Sequence, residues 1–420
     1  TTFFGWKLIL IVYPQYNDIL QGFTYNGHDY VFGFLMLSLS ICFWIYNRFT
    51  NSKNVFSYLI APIFIWIIIN FGIALKLQGA GFIVFPLMSS LCVFGVYVLT
   101  QKNYWLLNLV FAIPALVIFA PLLELFPIGL GLKIMFGSSV LLVLIFGLLI
   151  PIFGSFSKKS SWGILFLLIA IISFAKAHFN SNYKLGQAKP NSLIYLYNAD
   201  TNNAFWITYD KNLDEFTKKQ LGENPKIAVG FDKFPLFSKY NSQFTFMNNA
   251  DVKDLSKPEI QFLKDSLSGD FRFLKIKISP TRKVNRYDIF ANQKIVFFNF
   301  KSNGVQNIEQ KTKQLTRNGN KILTYYVVDN IPLELEFTIN KKTVLDMDLL
   351  ESSFDLLTNP AFEIEKRKSW MMPMPFVLND AIVIKKHIRE NINYDENLSE
   401  EFKNMKLQEK LLKLHKDSIQ

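Results

Sequence analysis

The sequence predicts two unlike parts: a polytopic α-helical membrane bundle of about six helices, followed by a mainly antiparallel, sandwich-like β domain. About three quarters of residues 30–177 are apolar, and a bilayer core needs roughly 20 apolar residues for each helical crossing. From about residue 190, apolar residues recur with period two, which is typical of strands with one buried face. We therefore expect a leader at 1–29, a membrane block at 30–177, an exoplasmic β domain at 178–390 and a helical tail at 391–420.

Charge is distributed unevenly between these parts. Of the 45 Lys and Arg and the 33 Asp and Glu residues, only nine basic and three acidic ones precede residue 178. The remaining charges are mixed in sign and form no dense basic stretch. Nucleic acid is therefore not an expected partner, whereas the lipid bilayer is. Cys42 and Cys92 both lie in apolar runs, so the sequence supports no disulfide.

The leader combines an apolar and a polar segment. Residues 3–13 are apolar apart from Lys7 but too short to cross a bilayer, which indicates an interfacial segment or the last piece of a domain that precedes this chain. Residues 14–29 contain Asp18, His28 and Asp29, with a turn signal at Tyr25-Asn26-Gly27. We expect this stretch to be a polar loop.

Six crossings are predicted, joined by short loops, at 30–47, 54–75, 80–99, 104–124, 128–153 and 160–177. Loops one, three and five carry Arg48, Lys53, Lys102, Lys158 and Lys159, whereas loops two and four carry only Lys76, with Lys133 just inside the fifth helix. Basic loops favour the cytoplasmic side. Because the number of crossings is even, the leader and the polar half are expected to share the exoplasmic side.

Polar groups at membrane depth are few. Glu124, between Pro121 and Pro127, is the single acid in the membrane block and a weak candidate for an intramembrane polar site. A proton or ion pathway would use such a residue facing the bundle interior, but a transporter normally shows several polar groups. An acid at a helix end near the interface is the plainer interpretation. Gly79-Ala-Gly81 and Pro86 at the start of the third helix indicate close helix packing.

The β domain is predicted from several strand patterns. Residues 192–209 suggest a hairpin, and a short helix over 213–221 has Asn212 as a plausible cap and Gly222 as its end. Leu274, Ile276 and Ile278 alternate with lysines, Ile295–Phe300 is an apolar run interrupted only by Asn299, and 333–339 alternates throughout. Some 200 residues can bury a sufficient core without disulfides. In the tail, Leu398, Phe402 and Met405 share one helical face and Leu407, Leu411 and Leu414 another.

A catalytic or metal site is not evident. The histidines His28, His178, His387 and His415 are far apart in sequence, and no zinc, phosphate-loop or nucleophile motif occurs. His28 and His178 lie near the same predicted surface, which leaves a two-histidine site open. The acidic group Asp346, Asp348, Glu351 and Asp355 lacks the spacing of a calcium loop and is interpreted as a solvated strand and turn.

Several segments together resemble one protein family. Lys189-Pro-Asn-Ser-Leu-Ile-Tyr-Leu-Tyr-Asn-Ala-Asp200, Ala204-Phe-Trp-Ile-Thr-Tyr-Asp210 and Leu213-Asp-Glu-Phe-Thr217 are similar to the start of the C-terminal domain of multipass zinc exopeptidases. These are the endoplasmic-reticulum metallopeptidase and vacuolar membrane protease group. Further similar segments are Gly79–Pro86, with Gln78 replacing a proline, Ile278–Arg282, Ser353–Pro360 and Met372–Asp380. The last two look most like bacterial members.

The resemblance implies a di-zinc aminopeptidase domain located before this chain, on the exoplasmic side. Its zinc would activate a water molecule and polarise the scissile carbonyl. The chain begins, on this interpretation, just after that domain, so no catalytic and no metal-binding residue is assigned here and no cofactor is expected within it. A bacterial inner membrane with a periplasmic β domain is expected, or a vacuolar or endoplasmic-reticulum membrane in a eukaryote.

An alternative remains open from a different class. The chain would then be a non-enzymatic multipass membrane subunit that binds a larger assembly through its β domain and C-terminal helix. The two hypotheses differ in the expected partner, which is a catalytic domain in the first and an unrelated protein assembly in the second.

Overall fold

A computed structural model of the chain describes residues 2–50, 54–230, 236, 238–306, 312–317 and 319–389. The predicted helical tail at 391–420 lies outside these residues. Within them, the first 180 residues are helical and the remainder is a mainly antiparallel β region with one short helix. Both predictions are confirmed at this level.

The helical part contains eight α-helices connected by tight turns. They are α1 (Thr2–Val12), α2 (Gly27–Phe49), α3 (Ile60–Lys76), α4 (Val84–Thr100), α5 (Trp105–Leu130), α6 (Met135–Leu148), α7 (Ile150–Phe153) and α8 (Lys159–Phe179). Short 3₁₀ turns precede α3, α4 and α6 and follow α1. Among the described residues, five helical stretches are long and apolar enough to cross a membrane: Gly27–Phe49, Ser57–Lys76, Gln78–Thr100, Trp105–Leu130 and Lys159–Phe179.

The predicted fifth crossing at 128–153 differs from a single helix. α5 continues through Pro121 and Pro127 to Leu130, so its end lies six residues beyond the prediction. The chain then turns at Gly131, which has a φ of +85° and whose added Cβ would lie 2.5 Å from the Gln21 carbonyl oxygen. Only glycine fits this turn. α6 ends at Leu148 and α7 follows because Pro151 cannot donate the next helical hydrogen bond.

Contacts at the helix ends define two opposite ends of the helical block. Lys176 at the end of α8 pairs with Asp29 at the start of α2, with 2.7 Å between the ammonium and the carboxylate. At the same end the Leu132 amide donates to the Gly22 carbonyl at 2.8 Å. At the other end the Asn103 amide donates to the Ser155 hydroxyl at 3.3 Å. If Leu132–Phe153 is counted as one broken passage, the chain traverses the block six times.

The β region is built from two large sheets and one small one. The eight-stranded sheet has the order β11-β8-β13-β15-β2-β3-β5-β4, the five-stranded sheet β10-β9-β12-β7-β6, and β1 pairs with β14. The strands are β1 (Lys189–Asn191), β2 (Ile194–Asn198), β3 (Asn203–Thr208), β4 (Lys226–Ile227), β5 (Phe246–Ala250), β6 (Glu259–Ser268), β7 (Phe271–Ser279), β8 (Arg286–Ala291), β9 (Phe298–Ser302), β10 (Val305–Gln306), β11 (Lys321–Tyr326), β12 (Leu333–Asn340), β13 (Asp346–Ser353), β14 (Met371–Pro373) and β15 (Ala381–Arg389). Two pairings, β1–β14 and β2–β15, are parallel.

The two large sheets pack face to face over a common apolar core. Leu274, Ile276 and Ile278 of β7 lie in this core together with the four apolar residues of β12 between 333 and 339, all fully buried. Residues of β8 and β13 from the eight-stranded sheet cover them. The alternating strands and the 192–209 hairpin, which is β2–β3, are thus confirmed. Alternation predicts them well because one face of each strand is dry.

Two local predictions are wrong. The short helix is α9 (Glu215–Leu221), and its cap is Asp214 rather than Asn212. The Asp214 carboxylate accepts from the Phe216 and Thr217 amides, while the Thr217 hydroxyl accepts from the Asp214 amide, which is a capping box. In the apolar run 295–300, only Phe298–Phe300 is strand. Ile295 and Phe297 are buried in the sandwich core without ladder pairing.

Candidate functional site at the leader–β-domain junction

The predicted intramembrane residue Glu124 lies within α5, six residues before its end. Its carboxylate is 2.9 Å from Nδ1 of His28, at the start of α2, and both side chains are more than half exposed at 57% and 58%. Glu124 therefore faces outward at the end of the block where the leader lies, rather than inward into the bundle. An exposed pair of this kind contributes little to stability.

The two histidines near the leader do not share a site. His178, at the end of α8, is 2.6 Å from the Tyr13 hydroxyl, whereas His28 is paired with Glu124. Each imidazole thus has its own partner. Within the described ranges no group of three or more His, Cys, Asp or Glu side chains comes together in a way that could hold a metal ion.

The predicted acidic group is not solvated as expected. Asp348 and Glu351 are buried, because β13 lies in the middle of the eight-stranded sheet. Asp348 pairs with Lys385 at 3.1 Å and with His387 at 3.0 Å. Glu351 pairs with Arg282 at 2.9 Å, and burial raises the pKa of Glu351 to about 7 against the opposing effect of Arg282. The Asp348 pairs join the neighbouring strands β13 and β15, and the Glu351 pair joins β13 to the loop between β7 and β8.

The most elaborate polar arrangement instead joins the leader to the β domain. We call Asp18, Lys189, Asp210 and Asp214 the junction cluster. Asp18, predicted to be a loop residue, is only 1% exposed. Its carboxylate accepts hydrogen bonds from the amides of Lys211 at 2.7 Å and Asn212 at 3.2 Å. The leader is thereby fixed to the loop that precedes α9.

Lys189 supplies the positive charge of the junction cluster. Its ammonium lies 3.1 Å from the Asp214 carboxylate and 4.0 Å from that of Asp18, and it donates to the Asn212 carbonyl at 2.5 Å. The Asn191 amide also donates to Asp214 at 2.8 Å. Burial opposes ionisation of Asp214, but Lys189 and these hydrogen bonds outweigh it and hold the pKa of Asp214 below its ordinary value.

Asp210 is the least satisfied member. It is fully buried, and one carboxylate oxygen accepts from the Ser192 amide at 2.7 Å and the Ser192 hydroxyl at 2.8 Å. The other oxygen has no hydrogen-bond partner among the described residues. Burial raises the pKa of Asp210 to about 7, with Lys189 opposing and Asp18 adding to the rise. Burial likewise raises the pKa of Asp18.

Further contacts surround the junction cluster. The Tyr183 hydroxyl donates to the Gln15 carbonyl and the Tyr25 hydroxyl to the Ala188 carbonyl, each at 2.9 Å. A cavity of about 300 Å³ lies beside them, between leader residues 18–25 and the β-domain residues Pro190, Met372 and Pro375, with His28 in its wall. The leader and the β domain therefore form one continuous surface at the same end of the helical block.

Sequence reasoning missed this cluster, although two signals were present. Asp18 is a single acid followed by Ile19 and Leu20, which is unusual for a solvated loop. Asp214 and Thr217 have the spacing of a capping box. What the sequence could not provide is the convergence of four residues from a leader and a domain that are some 170 positions apart. The pairing of β1 with β14 brings Lys189 to this place.

Comparison of the chain with protein-family models, with curated proteins and with solved structures finds no match.

Proposed function

We propose that the chain is the membrane-anchoring and C-terminal accessory region of a membrane zinc metallopeptidase whose catalytic domain precedes it. The observation that carries the proposal is the junction cluster, which fixes the β domain to one end of an apolar helical block. Such an arrangement suits a platform that presents folded domains at a membrane surface. It is less suited to a pore, since the single acid of the block faces outward.

The resemblance to the exopeptidase group gains support from where its segments lie. Residues 189–200 and 204–217 pair with each other through β2–β3, and residues 372–380, distant in sequence, join them through β1–β14. The Asn379 side chain accepts from the Leu193 amide at 2.9 Å and donates to the Asn191 carbonyl at 3.0 Å. Segments that resemble a family separately thus form one structural unit, as parts of one inherited domain would.

Zinc has no place on this chain in the proposal. The described residues offer no group of ligating side chains that fits the ion, so we derive no catalytic step from them. The metal and the general base would belong to the preceding domain. The decisive experiment is to read and express the complete gene product, then to measure its zinc content and aminopeptidase activity. An upstream reading frame without His-x-Asp and Glu-Glu ligands would remove the enzymatic proposal.

Membrane placement has a separate test. In a background with Cys42 and Cys92 replaced by alanine, Thr201→Cys places a thiol on the exposed β2–β3 turn, and Lys102→Cys places one at the opposite end of the block. With exoplasmic placement of the β domain, a membrane-impermeant maleimide labels the Thr201→Cys variant in intact cells. It labels the Lys102→Cys variant only after permeabilisation. The reverse pattern would contradict the orientation, and equal labelling would contradict membrane insertion.

The second candidate function, a non-enzymatic subunit of a larger assembly, is favoured by an apolar patch on the β domain. Tyr326, Val328, Ile331 and Phe354 are each about half exposed or more. They lie around Asn285, whose backbone and side chain bond to Val327 and Phe354. Exposed apolar groups of this size often mark protein contacts. Copurification at fixed stoichiometry with unrelated proteins, without zinc, would favour this candidate.

A further inference from the structure

A large open groove of about 680 Å³ lies where α1, the turn before α6 and the β domain meet. Trp6 and Leu10 of α1 line it on the helical side together with Lys133, and Lys211, Tyr240 and Phe244 belong to the β-domain side. The groove adjoins the leader, with Ile19 and Leu20 in its lining. It opens at the end of the helical block where the junction cluster lies.

The charge of this groove is one-sided. Its lining contains two lysines, Lys133 and Lys211, and no acidic side chain. Both lysines are exposed, and within the described part of the chain neither ammonium forms an ion pair or a hydrogen bond. The nearby carboxylate of Asp18 is turned away, since its oxygens are bound by backbone amides and lie beside Lys189. Two unpaired cations in one groove match an anionic ligand.

Apart from four neutral polar residues, Asn17, Ser242, Gln243 and Thr245, the rest of the lining is apolar or aromatic, and exposed apolar side chains continue next to the groove in the sequence. Leu8 and Ile11 on the outer face of α1 are 61% and 76% exposed. On the β-domain side, Ile227 of the edge strand β4 is 72% exposed and Val229 is 77% exposed. Side chains of this kind are unfavourable in water but suited to the boundary between headgroups and acyl chains. Trp6 and Tyr240 have the amphipathic character typical of this layer.

We propose that this groove binds an anionic phospholipid, with Lys133 and Lys211 contacting its phosphate and the apolar wall of α1 contacting its acyl chains. The inference rests on the membrane placement proposed above. Tyr240 and Ser242 supply neutral hydroxyl groups for the remainder of the headgroup. The bound lipid fills the space between helical block and β domain and adds to the attachment made by the junction cluster.

The test uses the full chain reconstituted into nanodiscs containing equal amounts of phosphatidylglycerol and phosphatidylcholine. After transfer to detergent, native mass spectrometry measures which lipid the protein retains. We expect the wild-type chain to retain phosphatidylglycerol preferentially. Lys133→Gln and Lys211→Gln should each lower the preference about fivefold, and the double variant about 25-fold, because a cationic side chain near anionic lipid contributes about 1 kcal/mol.

A matched control separates a site from general attraction. Lys102→Gln with Lys158→Gln removes the same charge from exposed lysines at the opposite end of the block and should leave the preference unchanged. Lys133→Arg with Lys211→Arg should retain it. Equal retention of both lipids by the wild-type chain, or an equal loss in the control, would overturn the lipid site alone. A chain that does not enter nanodiscs would overturn the membrane placement as well.

Discussion

Replacement of Asp18 by alanine should weaken the attachment of the leader to the β domain. The carboxylate of Asp18 is the acceptor for the amides of Lys211 and Asn212, at 2.7 and 3.2 Å, in a site that is 1% exposed. Alanine removes the acceptor and leaves both part-buried amides without it.

The expected magnitude follows from the groups left without partners. Each buried donor that loses its acceptor costs about 1–3 kcal/mol. Lys189 keeps its contacts with Asp214 and with the Asn212 carbonyl, so its charge remains paired and adds little. The Asn212 side chain retains the Pro14 carbonyl at 2.9 Å. We therefore expect the variant to lower the free energy of opening at the junction by about 2–4 kcal/mol.

Hydrogen–deuterium exchange followed by mass spectrometry measures this opening locally. A loss of about 2–4 kcal/mol corresponds to roughly 30- to 1,000-fold faster exchange of the Lys211 and Asn212 amides. Asp18→Asn keeps an acceptor oxygen and should change the rate less than Asp18→Ala. Glu215→Gln serves as the unaffected control: it lies four positions after Lys211 and removes an exposed ion pair with Lys368.

Unchanged protection of these two amides in Asp18→Ala would refute the reasoning. It would mean that water or another group replaces the carboxylate without cost. Equal acceleration in Asp18→Ala and Glu215→Gln would likewise show that the effect is not specific to the leader.

Three further predictions concern other parts of the chain. Asp210→Asn should alter the pH dependence of thermal stability. Folding raises the pKa of Asp210 from its ordinary value of 3.8 to about 7. Asp210 therefore contributes its full stabilisation below pH 3.8, and this contribution is lost as the pH rises through 7. The melting temperature of Asp210→Asn should therefore lack this decline with pH, while Glu351→Gln should remove only the separate decline due to Glu351. Identical pH profiles of melting temperature for the wild type and Asp210→Asn would contradict the raised pKa of Asp210. Gly131→Ala should reduce the melting temperature, because its Cβ would meet the Gln21 carbonyl oxygen at 2.5 Å at a positive φ. Phe337→Ala should lower the free energy of unfolding of the β region by about 3–5 kcal/mol in denaturant titrations, since this ring is fully buried between the two sheets.

The sequence allowed the large elements to be predicted because their patterns are repeated many times. In β12, Leu333, Leu335, Phe337 and Ile339 occupy the dry face while Glu334 and Glu336 face Lys275 across the ladder. A single strand therefore carries its own register. The apolar helices are likewise predicted from many residues each. The prolines of α5 affected only the predicted position of its C-terminal end. Helices packed against neighbours tolerate an interior proline.

Prediction failed where one or two residues decide the structure. The division of the helix predicted over 128–153 depends on Gly131 and Pro151, and the helix cap depends on whether Asp214 or Asn212 turns inward. The burial of Asp348 and Glu351 depends on β13 being a central strand, which follows from pairing with β8 and β15. Strand order is a tertiary property that alternation along one strand does not contain.

Charge balance explains why the junction cluster acts as one unit. Three carboxylates surround the single ammonium of Lys189, so full ionisation would leave two negative charges in excess in a buried site. The raised pKa of Asp210, about 7, lets this carboxyl bind a proton in part of the molecules near neutral pH and so lowers the excess. The remaining charge, on Asp18, is met by the amides of Lys211 and Asn212 rather than by water. The leader therefore contributes the carboxylate of Asp18, whose hydrogen-bond donors come from the β domain. The β domain contributes the amides of Lys211 and Asn212, which lose their acceptor when the leader moves away. This mutual dependence couples the orientation of the β domain to the helical block through Asp18, beside the contacts made by Pro14, Gln15 and Tyr25.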